Sequence, residues 1–216
     1  MPHIQLLGGL SSPFTRKIRI LIAEMNIPFD YLPENPAGEI NQIIPHNPLG
    51  KVPVIIVDGT QEIYDSRVII EYLEWLSPSP ALIPPGGMER IAVKRWEALA
   101  DGICDAGVVC QLEHRRPPEK KHQVAIHRQT RKFERGVEMA SKQLGDNQWC
   151  HGNAFSLADI AIGTAMEWIG LRYPDNDPRK RYANLKALHE RLMQRPAFAS
   201  TAPPLIREGR SNFGLF

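Results

Sequence analysis

Three short stretches of this chain hold residue types that could do chemistry: Val52-Pro53, Ser11-Ser12-Pro13-Phe14 and Asp65-Ser66. Proline cannot donate to a ladder, so Pro53 belongs at a strand's first residue, an edge or a bulge. It is also the residue type at which a cis peptide bond costs least. A cis Val52-Pro53 bond would turn the Val52 N–H and C=O outward. An extended peptide could then pair with them, as it pairs with a sheet edge. By frequency alone an ordinary trans proline opening a strand is the commoner reading. Ser11-Ser12-Pro13-Phe14 reads as a helix start, with a serine cap and proline at the first helical position. Asp65-Ser66 reads as the start of a second helix. Cysteine chemistry is poorly placed. Cys104, Cys110 and Cys150 stand in no metal or redox spacing, and none lies at a helix start. That argues against exchange through a mixed disulfide, which needs a thiolate.

The elements that must hold these residues follow from pattern. His3 to Gly8 reads as a strand, about Pro13 to Met25 as a helix ended by Asn26-Ile27-Pro28, and Phe29 to Leu32 as a second strand. Residues 33–50 carry Pro33, Pro36, Pro45 and Pro48 and read as loop, with one helical turn near Glu39 to Ile43. Val52 to Val57 is β-branched and apolar and reads as a buried strand. Asp58-Gly59 is a strong hairpin signal, and Gln61 to Tyr64 is the returning strand. The helix that follows places Val68, Ile69, Tyr72, Leu73 and Leu76 on one apolar face. Strand, helix, strand, loop, strand, strand, helix is the order of a thioredoxin-like domain.

Ser77 to Gly87 holds four prolines and two glycines and reads as a linker. The expected division is therefore 1–77, a linker at 78–87, and 88–216. Everything in the last part is helical in pattern: Met88 to about His114, Val124 to Leu144, Phe155 to about Leu171, and Asn184 to Gln194. Arg195-Pro196 stops the last of these, and the tail from Ala202 reads as loosely held. Ser156 and Asp159 are spaced as a capping box, so Asp159 is read as structural rather than catalytic.

The 216 residues, with 26 Lys and Arg against 24 Asp and Glu, give a formal net charge of +2. Nothing there favours nucleic acid or a membrane surface. No apolar run approaches the ~18 residues of a membrane span. No signal peptide is seen, and three scattered cysteines suit a reducing, cytoplasmic compartment.

A thioredoxin-like half followed by an all-α half, carrying Ser11-Ser12-Pro13-Phe14, Asn47-Pro48-Leu49-Gly50-Lys51-Val52-Pro53, Asp65-Ser66 and Ser156-Leu157-Ala158-Asp159 in this order, resembles the glutathione S-transferase superfamily. The helix start and the Glu97 to Gly107 region look most like its bacterial YibF-like branch. The resemblance implies the glutathione S-transferase architecture, a cis Pro53, a homodimer, and glutathione as substrate with no metal. It implies a γ-glutamyl carboxylate at Ser66 and at the helix N-terminus, where N–H groups and the dipole favour an anion. Asp65 would face the amine. Lys51 would meet the second carboxylate, and Val52 would pair with the tripeptide main chain. Phe14, at the start of the first helix, and Pro53 would complete the glutathione-binding residues.

The thiol would meet Ser12, which directly precedes the proline as in cysteine-type and Tau-class relatives, or Ser11, one residue earlier, as in the Delta class. Ser12 is the preferred choice. A serine hydroxyl is not ionised at neutral pH, so its part would be to donate a hydrogen bond to the bound thiolate. The implied activity is glutathione transferase: the thiolate is conjugated to, or reduces, a hydrophobic electrophile or a peroxide. The implied electrophile pocket draws on Trp96, Leu99, Ile103 and His114, although apolar residues at helical spacing are more often core. The alternative is a transferase-like protein that binds or regulates without turnover.

Overall fold

A computed structural model describes residues 1–34, 42–77 and 80–203. Among these residues, those of Met1–Ala81 and those from Arg195 onward form one compact unit, and Leu82–Gln194 forms another.

The first unit is built on a four-stranded sheet: β1 (Ile4–Gly8), β2 (Asp30–Pro33), β3 (Val54–Val57) and β4 (Gln61–Ile63). The strand order is β2-β1-β3-β4. β1 and β2 are parallel and are joined through α1 (Pro13–Glu24). The other two pairings are antiparallel, with Leu6 opposite Ile55 and Ile55 opposite Ile63. β3 starts at Val54, two residues later than the sequence pattern suggests. Pro53 has no N–H for a ladder, so it and Val52 stand just outside the sheet. Asp58 and Gly59 both take positive φ, 49° and 72°, as a primed hairpin turn demands. The connection also takes in Thr60, whose N–H donates to the Val57 C=O at 3.1 Å.

Burial on the sheet alternates with the pleat. Leu7, Val54 and Ile56 cluster with Ile43 from the preceding loop, and Val52 and Tyr64 pack against them. Ile4, Leu6 and Ile55 point the other way and are fully buried, as are Ile18, Ile20 and Ile22 of α1 and Ile69, Ile70 and Leu73 of α2 (Ser66–Leu76). The helical turn expected near Glu39 lies mostly outside the described residues, and so does nearly all of the tail after Ala202.

The second unit contains α3 (Gly87–His114), α4 (Gln123–Leu144), α5 (Leu157–Arg172), α6 (Pro178–Arg181) and α7 (Ala183–Met193). α5 is buried on every side from Leu157 to Gly170, which fits its nearly continuous apolar sequence. α3 packs on both α4 and α5. Gly107 is needed where α3 meets α5, because a Cβ there would come within 2.5 Å of the Trp168 ring.

Two features differ from the expected division at 77 and 87. Leu82 and Ile83 are buried, and the Leu82 C=O accepts the Leu157 N–H at 2.9 Å, so this part of the expected linker is core of the second unit. The described residues from Arg195 onward join the first unit instead of the helical one. There α8 (Pro196–Ser200) lies on α1. Arg195 makes a two-pronged contact with Glu24 at 2.8 and 2.6 Å. Arg16, 3% exposed, donates to the Phe198 C=O at 3.2 Å.

Candidate functional site

Ser12 is the N-cap of α1, and its Oγ accepts the Thr15 N–H at 3.2 Å. The Ser12 N–H donates to Gly9 at 3.1 Å, and its C=O accepts from Arg16 at 3.0 Å. The Oγ thus takes a hydrogen bond as acceptor, while among the described residues nothing accepts its own proton. At 6% exposure, such a donor at a helix N-terminus suits an anionic atom. Ser11 beside it is equally buried and takes part in other interactions. Phe14 occupies the first turn and is half-buried. Thr15 is fully buried against Gly8, where a Cβ would come within 2.3 Å of its methyl.

The Val52–Pro53 bond is cis, and so is Tyr64–Asp65. Among the described residues none hydrogen-bonds the Val52 main chain. Lys51 is exposed, and its C=O accepts from the Asn47 side-chain amide at 2.8 Å. Asp65 is the N-cap of α2. Its Oδ1 accepts the Arg67 N–H at 3.0 Å, and its Oδ2 takes no part in that cap. Ser66, 3% exposed, is the first residue of the helix. The first unit therefore carries the N-termini of α1 and α2 and a main-chain segment at Val52 that has no hydrogen-bond partner among the described residues.

A family model described as the glutathione S-transferase N-terminal domain matches residues 6–81 of the chain. A second, the glutathione S-transferase C-terminal domain, matches residues 123–191. The chain belongs to the glutathione S-transferase family. It is 35% identical over 201 residues to the uncharacterised GST-like protein YibF of Escherichia coli, covering 93% of this chain and 99% of that one. It is 27% identical to glutathione S-transferase U8 of Arabidopsis thaliana, over 78% of this chain and 73% of the plant protein. The fold matches a glutathione S-transferase from Methylobacterium radiotolerans in complex with glutathione sulfonate. The TM-score is 0.91 and the identity 36%, over 96% of this chain and 98% of that one. It also matches a glutathione S-transferase from Methylobacillus flagellatus with glutathione bound, at TM-score 0.90 and 41% identity, over 93% and 100%.

In this transferase-family chain the residues suggested for an electrophile pocket all lie in the second unit. Trp96 and Ile103 are each 3% exposed, the burial of core side chains. Leu99 and Ile103 flank Gly136 of α4, where a Cβ would sit 2.6 Å from the Ile103 side chain. His114 is exposed at the end of α3, its ring 6.5 Å from that of Tyr173.

Asp159 is built into structure. Its Oδ2 accepts the Ser156 N–H at 2.9 Å and the Ser156 hydroxyl at 3.1 Å, and its Oδ1 accepts the Cys150 N–H at 2.8 Å. Burial raises its carboxyl above the usual range, against the pull of those hydrogen bonds. Burial, and then Asp159, push the Cys150 thiol well up, which leaves it a poor nucleophile. Among the described residues no group of three acidic, histidine or cysteine side chains could hold a metal, and no helix is long and apolar enough to cross a membrane.

Sequence reasoning gave Asn47 no role of its own. It is 2% exposed and bonds to Ile43, Leu49, Gly50 and Lys51. The Asn-Pro-x-Gly run was the available signal, since asparagine opens Asx turns.

Proposed function

We propose that this protein is a glutathione transferase that holds the tripeptide as its thiolate and lets it attack a hydrophobic electrophile or a peroxide. The observation that carries this is the Ser12 hydroxyl: buried, at the α1 N-terminus, accepting from Thr15 and with its proton uncommitted among the described residues. Two similar solved structures, which hold glutathione and glutathione sulfonate, support the ligand.

In this reading Val52 pairs with the cysteinyl main chain, as an edge strand pairs with a peptide. Ser66 and the α2 N-terminus take the γ-glutamyl carboxylate, Asp65 Oδ2 takes the amine, and Lys51 takes the glycyl carboxylate as a point charge. The thiol loses its proton to solvent, and Ser12 donates to the sulfur. A free thiol has a pKa near 8.5, and lowering it by about two units takes ~2.7 kcal/mol. One charge-assisted hydrogen bond at a helix N-terminus is of that size. With a carbon electrophile the sulfur forms a bond to the electrophilic carbon, and the leaving group departs with its electron pair. With a peroxide the sulfur attacks an oxygen, the O–O bond breaks and the alkoxide takes a proton, and the glutathione sulfenic acid so formed condenses with a second glutathione to the disulfide and water.

The proposed working form is a cytoplasmic homodimer, which sedimentation would read directly. Calorimetric titration with glutathione, followed by conjugation of chlorodinitrobenzene, tests the function. Binding with turnover is expected. Binding without turnover across a broad electrophile panel would replace this reading with that of a transferase-like binding protein.

A further inference from the structure

Asn47 knots the loop that leads into Val52. Its N–H donates to the Ile43 C=O at 2.7 Å, and its C=O accepts the Gly50 N–H at 2.8 Å. Its Oδ1 accepts the Leu49 N–H at 3.0 Å, and its Nδ2 donates to the Lys51 C=O at 2.8 Å. Gly50, at φ 61°, supplies the left-handed turn that closes this ring.

The Lys51–Val52 peptide is trans, and in a trans peptide the C=O and N–H point in opposite directions. Asn47 holds the carbonyl side of that plane inward. The Val52 N–H on its other edge therefore points away from Asn47, while the Val52 side chain stays packed on Leu7, Ile43, Val54 and Ile56. One buried amide thus sets the direction of a main-chain donor five residues ahead of it in the chain.

We propose that Asn47 is a positioning residue that aims the Val52 N–H at the main-chain carbonyl of a bound extended thiol peptide. This rests on the glutathione reading above. Asn47 does not touch the ligand; it acts through the Lys51–Val52 peptide plane. Its contribution therefore belongs to binding in ground and transition state alike, and appears in KM and not in kcat.

Asn47→Asp keeps the acceptor for Leu49 and turns an oxygen toward the Lys51 carbonyl in place of the donor. It should raise the calorimetric Kd and the KM for glutathione about tenfold, with kcat within about twofold. Asn47→Ala, which adds no charge, should move KM in the same direction. The neighbouring His46→Ala, which removes the exposed contact to Glu62 at 3.3 Å, should leave both constants within about twofold.

If the Asn47 variants do not fold, amide exchange in the wild type decides the matter. The Val52 N–H should exchange fast in the free protein and slowly with glutathione bound. Equal Val52 protection with and without glutathione overturns the proposal, as does an Asn47→Asp enzyme that binds glutathione like the wild type or loses kcat at unchanged KM. A wild type that binds no glutathione overturns the functional reading together with this one. A wild type that binds, with unaltered Asn47 variants, overturns this one alone.

Discussion

Two helices of this protein begin with a serine cap, and they end up doing different things. At α5, Ser156 is followed three residues later by Asp159, and the cap closes on itself. The Ser156 hydroxyl and N–H both donate to Asp159 Oδ2, the Cys150 N–H donates to Oδ1, and the Ser156 Oγ accepts from Ala158 at 3.3 Å. At α1, Ser12 is followed three residues later by Thr15, whose side chain is buried on Gly8 and cannot return to the cap. The Ser12 N–H goes to Gly9, and its hydroxyl proton has no acceptor among the described residues. An acid at the third helical position thus makes a serine structural. A buried threonine there leaves the serine a donor in hand at a positive helix end.

Breaking the closed cap should give the largest effect. Asp159→Ala removes a cap and strands three buried donors, the Cys150 N–H and the N–H and hydroxyl of Ser156. The expected cost is about 3 kcal/mol of stability, read from urea unfolding. A loss under about 1 kcal/mol would mean that the box is not what fixes the start of α5.

Ser12→Ala should instead strike chemistry. The conjugation rate at neutral pH should fall about ten- to a hundredfold, the bound thiol should titrate at higher pH by ultraviolet absorbance, and stability should drop only about 1 kcal/mol. If Ser11→Ala does this and Ser12→Ala does not, the donor is Ser11 and the contrast between the two caps loses its functional half. Lys51→Ala is the milder perturbation. An exposed lysine meeting a carboxylate contributes about 0.5–1 kcal/mol, so the glutathione KM should rise about two- to fivefold, and less at high salt.

The contrast also shows what the sequence could reveal. Both caps were legible because Ser-Pro and Ser-x-x-Asp act within one helical turn. Asp58-Gly59 was legible for the same reason, since only a primed turn puts both residues at positive φ. Pro53 was legible as a break, although its effect was to delay β3 to Val54 rather than to open it. What stayed hidden depended on distance. Pro196 read only as a stop, yet it opens α8, whose place on α1 is set by Arg195 and Glu24, 171 residues apart. Leu82 and Ile83 read as linker because prolines surround them, and their burial depends on packing that no local pattern carries. Asn47 read as one letter of a motif, and its hydrogen bonds to Leu49 and Lys51 appear only when the loop closes around it.

The finest test of the comparison is a pH slope. Burial holds the Asp159 carboxyl above its ordinary pKa in the folded chain, so the folded state takes up its proton more readily than the unfolded one. The resulting contribution to stability is complete below the unfolded pKa and is lost as pH rises through the folded value. Asp159→Asn cannot ionise. The stability difference between wild type and this variant should therefore favour the wild type most in acid and shrink as pH rises past the ordinary aspartate range, in urea melts at matched ionic strength. The start of α1 has no such group, and Ser12→Ala should melt in parallel with the wild type across the same range. A wild-type advantage that instead grows with pH would mean that the hydrogen bonds from Cys150 and Ser156 outweigh burial. The closed cap would then hold its carboxylate charged, as an open anion site does, and the two helix starts would differ in occupancy more than in kind.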